Sequence, residues 1–291
     1  MPPPITTHTL SNDTRVHQHT ADENAVNAYL IETPEEIVAV DATFLLSDAW
    51  DIREALDDLG KPLAAVFITH PHPDHVNGIT VVRGDSKAPV FATESVDTTF
   101  REIELESREM WQPQYSEKYP DEITFPTDQV ADGDRVSIGG VTLVAHDIGA
   151  GESPAATIWV LEDEHAAFVG DLVFNRAHPF LVEGRSGAWL DQLDTARELL
   201  TDDEVLFVGH GPAGDRHLLD YMAAYIVAYR GAVAELADET AHLTEAAKRE
   251  LDARMARILP DGALAGLVAM SADAVATELV DDERPLDTLS Q

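Results

Sequence analysis

The chain has 291 residues, 44% of them hydrophobic, and carries 54 Asp plus Glu against 19 Lys plus Arg, a formal net charge of −35. It is long enough for one large core or two modest ones, and it has no cysteine, which excludes disulfides, thiolate ligands and a cysteine nucleophile. No apolar run approaches the ~18 residues of a membrane span, and the acidity argues against a nucleic-acid partner, which normally needs a basic stripe.

Residues 1–20 read as irregular, with three early prolines and many polar side chains. The opening MPPPITTHTL has neither a basic nor an apolar region of a secretory signal, so a cytoplasmic protein is expected. Residues 25–32 and 37–41 read as strands around the turn Thr33-Pro34-Glu35. A helix is expected over 48–59, with Ile52, Ala55, Leu56 and Leu59 on one face and Gly60 and Pro62 as stops.

A strand follows, LAAVFIT at 63–69, running into THPHPDHVNG at 69–78. Three histidines and an aspartate fall in six positions, and imidazole and carboxylate are the usual ligands of zinc and similar ions. Pro71 and Pro73 stiffen the backbone between them. In an extended run His70, His72 and Asp74 share one side and His75 turns away, an arrangement that suits two adjacent metals.

Further on, 89–92 reads as a strand, 94–111 as a helix, 112–126 as a long loop and 128–144 as turn and strand. Strands are expected at 157–161 and 166–169 around the acidic turn Glu162-Asp163-Glu164, then a helix at 189–200 and a strand at 205–208. From about Arg216 the pattern is helical only. Leu218, Met222, Tyr225, Tyr229, Val233 and Leu236 form one stripe. Thr244 caps a second helix reaching Leu259, and a third covers 263–280. This tail is expected to cover a sheet face or make a homodimer contact, giving a domain at 1–215 and a helical extension at 216–291 packed on it.

Polar residues recur at strand ends: Gly170-Asp171, Gly209-His210, and HDIGAGESP at 146–154. Each alone is weak. Together with His70-x-His72-x-Asp74-His75, in this order on strands alternating with helices, the chain resembles the metallo-β-lactamase superfamily of metallohydrolases over about residues 24–212. The resemblance implies an αββα sandwich of two mixed sheets flanked by helices. It implies that His70 and His72 bind one metal, that Asp74, His75 and His210 bind a second, and that Asp171 bridges both. Asp41 looks like the family acid that orients the metal loop.

One ligand departs from the family pattern: Glu152 stands where many members have histidine. Alkylsulfatase-like members also use a carboxylate there. Two other readings stay open, a solvated Glu152 with the first metal weak or absent, and His146 as the ligand instead. A third carboxylate beside Asp74 and Asp171 moves preference from zinc towards manganese or iron. The resemblance implies two divalent ions, zinc first among the candidates, and hydrolysis by a water held between them. Asp74 could take that water's proton, and His178 could donate to an oxyanion or leaving group. Arg176, Arg185 and Trp189 are weaker candidates for the pocket rim. His17 and His19 form another His-x-His with no downstream match and read as exposed or rim residues.

The expected function is hydrolysis of a small-molecule ester, lactone, thioester or related bond. A nuclease or phosphodiesterase of the same superfamily and a non-catalytic metal-containing binding protein are the competing readings. The acid excess, spread along the chain, favours a salt-loaded cytoplasm, because molar salt shortens the Debye length to ~3 Å and screens self-repulsion.

Overall fold

A computed structural model describes residues 5–11, 13–162, 164–237 and 241–281. The first sheet has seven strands in sequence order: β1 Thr6–Thr9, β2 Arg15–Thr20, β3 Asn27–Glu32, β4 Ile37–Val40, β5 Leu63–Phe67, β6 Val90–Thr93 and β7 Asp128–Val130. Pairing is antiparallel from β1 to β4 and parallel from β4 to β7. The second sheet runs β12-β11-β10-β9-β8, built from β8 Arg135–Ile138, β9 Val141–Gly149, β10 Ala156–Leu161, β11 Ala166–Phe174 and β12 Val205–His210.

The sheets pack face to face through alternate apolar residues. Tyr29, Val38, Val40 and Phe67 of the first sheet share one core with Leu143, Trp159, Phe168 and Phe207 of the second. Burying each such side chain contributes roughly 1.5–3 kcal/mol. Polar ties fix the stagger: the Trp159 indole N–H donates to Ile68 O at 2.8 Å, and Asn27 Nδ2 donates to Val208 O at 2.8 Å.

Helices cover both outer faces. Helix α1, Leu46–Leu59, buries Ile52 and Leu56 against the first sheet. Gly60 ends it at φ 67°, in the left-handed region where only glycine is free of a Cβ penalty. The short helices α2 Pro73–Val76 and α3 Ile79–Arg83 and the longer α4 Glu94–Tyr115 complete that layer. On the second sheet lie α5 Ser186–Leu199 and α6 His217–Ala237, with α7 Glu245–Ile258 and α8 Gly266–Asp281 packed on α6. The tail stripe of Met222, Tyr225, Tyr229 and Val233 belongs to the same hydrophobic cluster as Trp189 and Leu193 of α5 and Val169 and Val208 of the sheet. The Glu278 carboxylate of α8 accepts from the Ser186 and Gly187 amides at 2.9 and 2.7 Å, capping α5, and meets Arg230 at 2.8 Å. None of the described helices is long and apolar enough to cross a membrane.

Three expectations need correction. Residues 6–9 and 15–20 are not irregular: they form β1 and β2, which extend the first sheet. Their polar side chains hid them, because Gln18 and His17 are satisfied by hydrogen bonds rather than by apolar contacts. Helix α4 continues to Tyr115 through Pro113, where a loop was expected. Trp111 and Tyr115 dock edge-on against Phe44 and hold that last turn. Strands β9 and β11 run on to Gly149 and Phe174, so His146 and Asp171 lie within strands, not at their ends. Of the expected acidic turn, Asp163 lies outside the described residues, as do residues 1–4 of the amino-terminal segment.

Candidate metal centre

The site is assembled from Asp41 after β4, the segment after β5 that leads into α2, Glu152 between β9 and β10, Asp171 within β11 and His210 at the end of β12. Beyond β4, Asp41 adopts φ 57° and turns its carboxylate onto the metal loop. Its Oδ1 accepts from Thr69 N at 2.8 Å, and its Oδ2 accepts from Thr69 Oγ1 at 2.6 Å and from His75 Nδ1 at 2.8 Å. Aspartate and asparagine tolerate the left-handed region better than most residues. The glycines of Gly170-Asp171 and Gly209-His210 are explained by crowding. A Cβ on Gly170 would stand 2.6 Å from Thr69 Oγ1, and one on Gly209 would stand 1.7 Å from Asp171 Oδ1.

Two groups of ligand atoms result, each within 4.8 Å of one another: His70, His72, Glu152 and Asp171 in the first, Asp74, His75 and His210 in the second. In the first, Glu152 Oε2 lies 3.7 Å from His70 Nε2 and Glu152 Oε1 lies 3.3 Å from His72 Nδ1. In the second, His210 Nε2 lies 3.5 Å from Asp74 Oδ2. Asp171 reaches both, at 3.9 Å from His70, 3.1 Å from His75 and 3.3 Å from His210. The extended-chain expectation for the loop is corrected here. His72 is extended, but residues 73–76 form a helical turn, so Asp74 sits with His75 and not with His70 and His72.

These residues fit a pair of divalent ions. His70 Nε2, His75 Nε2, Glu152 Oε1 and Asp171 Oδ1 are buried and have no hydrogen-bond partner among the described residues. Four such atoms pointing together would cost several kcal/mol if nothing else met them. Charge agrees. Burial opposes protonation of His72, His75 and His210, yet the carboxylates outweigh it and raise all three, His75 well above its ordinary value and His210 to about 9. Burial would raise Asp171 too, but His210 and His75 hold it well below the carboxylate range. Burial pushes Glu152 up and, with His75 beside it, pushes His70 well down, leaving His70 in the neutral form that binds metal. The donor set calls for positive charge, which ions supply.

The remaining candidates fall elsewhere. His146 is half-buried on β9 opposite Ile158 and joins neither group. His178 is buried, and its Nδ1 is 2.5 Å from Tyr225 Oη of α6. Trp189, expected at the rim, is a core residue whose indole N–H donates to Leu172 O at 3.0 Å. Arg176 is exposed, whereas Arg185 is half-buried and paired with Glu183. The exposed reading of His17 and His19 is wrong: His17 bonds Glu32 Oε2 at 2.9 Å, and His19 is buried.

Sequence reasoning missed the supports. Asn24 donates to Asp74 Oδ2 at 3.0 Å, and its carbonyl accepts from His210 Nδ1 at 3.0 Å. Glu183 Oε1 lies 2.9 Å from His72 Nε2 and leaves Nδ1 facing Glu152. Gln192 of α5 accepts from Glu152 N at 3.3 Å and donates to Gly149 O at 2.7 Å, fixing the loop that carries Glu152. No local motif marks these three, because each reaches the site from a separate element. Such partners orient ligands and tune their basicity.

Comparison with known proteins agrees with this geometry. The chain is similar to a hydroxyacylglutathione hydrolase of Rhodopseudomonas palustris (strain BisA53), 28% identical over 221 residues, which are 70% of this chain and 74% of that protein. It is similar to one of Nitrobacter hamburgensis, 28% identical over 178 residues, covering 59% of this chain and only 58% of that protein. Among solved structures, a metallo-beta-lactamase family protein from Thermus thermophilus superposes with TM-score 0.62 and 21% identity, covering 88% of each chain. The sec-alkyl sulfatase PisA1, as a double mutant, superposes with TM-score 0.66 and 18% identity, covering 91% of this chain and 49% of its own. At these identities the superpositions show the fold, and 91% is more than residues 1–215 alone could supply, so part of the helical tail is matched as well. The model of the metallo-beta-lactamase superfamily matches residues 21–210. The chain belongs to the metallo-β-lactamase superfamily.

Proposed function

We propose that this metal-dependent hydrolase uses a dinuclear centre to cleave a small acyl thioester of the hydroxyacylglutathione kind. The convergence of four unpartnered buried ligand atoms, from His70, His75, Glu152 and Asp171, carries the dinuclear reading. His70, His72, Glu152 and Asp171 would hold one ion; Asp74, His75, His210 and Asp171 would hold the other. Bound there, divalent ions supply Lewis acidity towards a carbonyl oxygen and make water acidic enough to attack at neutral pH.

The chain's own groups do the rest. Asp74 is the site carboxylate that reaches solvent, with its side chain 22% exposed against 2% for Glu152 and 4% for Asp171. Burial would raise its pKa, but His75 and His210 hold it at about 2, so it is ionised and able to accept a proton from attacking water. Arg185 is half-buried and tied to Glu183, whose other carboxylate oxygen meets His72. His178, the histidine of the loop after β11, is committed to Tyr225, which supports a packing role rather than proton donation to substrate. A thiol with a pKa near ~8.5 departs as thiolate without a general acid, so a thioester suits this site better than an amide or alkyl ester. The names of the curated relatives point the same way.

The excess of acid over base supports operation in a salt-loaded cytoplasm. Assays therefore belong in molar KCl, and greater stability at low salt would sink that part of the reading. Zinc-loaded protein should cleave a hydroxyacylglutathione faster than an alkyl sulfate, a bis-aryl phosphate or a β-lactam. Preference for the sulfate or phosphate would replace the thioester assignment.

A further inference from the structure

The amino-terminal His-x-His resolves into two different sites. His17 faces Glu32, but His19 is 3% exposed on β2, and its Nε2 is buried without a hydrogen-bond partner among the described residues. Beside it, α1 opens with Asp48 and Asp51, three residues apart and so on one helix face. A ring nitrogen of His19 and one carboxylate oxygen from each aspartate lie within 4.8 Å of one another. We propose that His19, Asp48 and Asp51 form a further divalent-metal site, separate from the catalytic centre.

A plain ion pair does not account for the cluster. Among the described residues no His19–carboxylate contact falls within the 4.0 Å of a salt bridge, and no lysine or arginine pairs with Asp48 or Asp51. Asp48 is itself buried, and the polar contacts on its carboxylate are long, 3.4 Å from Asp22 N and 3.4 Å from Ser47 Oγ. Two acids and an unpartnered imidazole too far apart to bond one another are what an ion between them would satisfy. Metal–ligand bonds of roughly 2.0–2.2 Å set ligand atoms about 3–4 Å apart, so a small closure completes the shell. One imidazole and two carboxylates suit zinc, manganese or ferrous iron, with water in the remaining positions.

The location gives the ion a task. Asp22 N, which touches Asp48, opens the turn at 21–26, whose ends are joined by Ala21 N donating to Val26 O at 2.8 Å. Asn24 at its tip holds both Asp74 and His210. An ion on His19, Asp48 and Asp51 ties β2 to α1 at the base of that turn and braces it against the catalytic centre.

The test is a count of ions. Wild type, His19→Ala and Asp51→Asn are stripped with chelator, reloaded with Zn²⁺ alone and gel-filtered in molar KCl, and zinc per chain is measured by mass spectrometry. Wild type should retain one more Zn²⁺ than either variant. That difference does not depend on whether the catalytic centre holds one ion or two, so it stands apart from the proposed function. Asp51 is half-exposed on α1, so Asp51→Asn carries the test if His19→Ala fails to fold. Equal zinc content in wild type and Asp51→Asn would overturn the site, as would equal Zn²⁺-induced rises in Tm.

Discussion

Asp41→Asn isolates the charge that organises the metal loop. Asparagine keeps the shape and tolerates the φ of 57° at this position, so the backbone has no reason to move. The carboxylate now accepts three hydrogen bonds, from Thr69 N, Thr69 Oγ1 and His75 Nδ1. Because a carboxylate only accepts, His75 carries its hydrogen on Nδ1 and turns the Nε2 lone pair towards Asp171, 3.1 Å away. In the variant one oxygen still meets Thr69 N, but an amide N–H replaces the acceptor facing His75. The imidazole then accepts at Nδ1, its hydrogen moves to Nε2, and the ligand lone pair is lost. Hydrogen bonds to a charged partner contribute about 1.5–3 kcal/mol each, and second-layer substitutions of this kind cost about 10–100-fold in metal affinity. We expect that loss in Zn²⁺ affinity, about 1.4–2.7 kcal/mol, by competition with a chromogenic chelator in molar KCl. A folded variant whose affinity stays within about twofold of wild type would refute the assignment of Asp41 as the group that fixes His75.

Other substitutions probe independent parts of the structure. Glu152→Ala should lose the ion at the His70 and His72 group while Glu152→His keeps it and shifts preference from manganese to zinc; full ion content in the alanine variant would show that Glu152 is not a ligand. Burial would raise the pKa of Glu32, but Lys61 and His17 lower it to about 2 from 4.5. Its stabilisation is therefore complete above pH 4.5 and lost as pH falls towards 2, so Glu32→Gln should cost about 1–3 kcal/mol at pH 7 and progressively less in acid urea melts. A pH-independent difference would contradict this. Glu278→Ala removes the carboxylate that caps α5 and faces the buried Arg230, and should lower unfolding free energy by about 3–5 kcal/mol; a loss under ~1 kcal/mol would mean that the tail is not anchored there.

The candidate ligands His70 to His75 are legible because they fall within one loop, whereas Gly170-Asp171 and Gly209-His210 are weak signals on apolar strands that gain meaning only through the family resemblance. The glycine in each pair is dictated by crowding, from Thr69 at Gly170 and from Asp171 at Gly209. Glu152 was legible only through the family resemblance, since nothing nearby in sequence distinguishes it from a solvated loop acid. The supports were not legible. Asn24, Glu183 and Gln192 reach the centre across 50, 111 and 40 residues of chain, and no periodicity encodes such contacts. Strand β2 escaped for a related reason: beside the apolar Val16 its buried positions carry Gln18 and His19, polar side chains that no hydrophobic pattern marks. The αββα sandwich is implied by the family resemblance rather than by element order alone, whereas the covering role of the tail shows in Tyr225 and Tyr229, which share one cluster with the second sheet.

If the His70–His210 cluster holds ions that enable thioester hydrolysis, activity must follow the metal. The direct measurement is the rate of hydroxyacylglutathione cleavage in molar KCl by the same preparation as loaded with zinc, stripped by chelator, and reloaded. The loaded protein should accelerate cleavage at least about 10⁶-fold over the uncatalysed reaction, lose that activity on stripping and recover it on reloading. A protein with its zinc bound that leaves the thioester intact, or one whose activity survives stripping, would contradict this assignment.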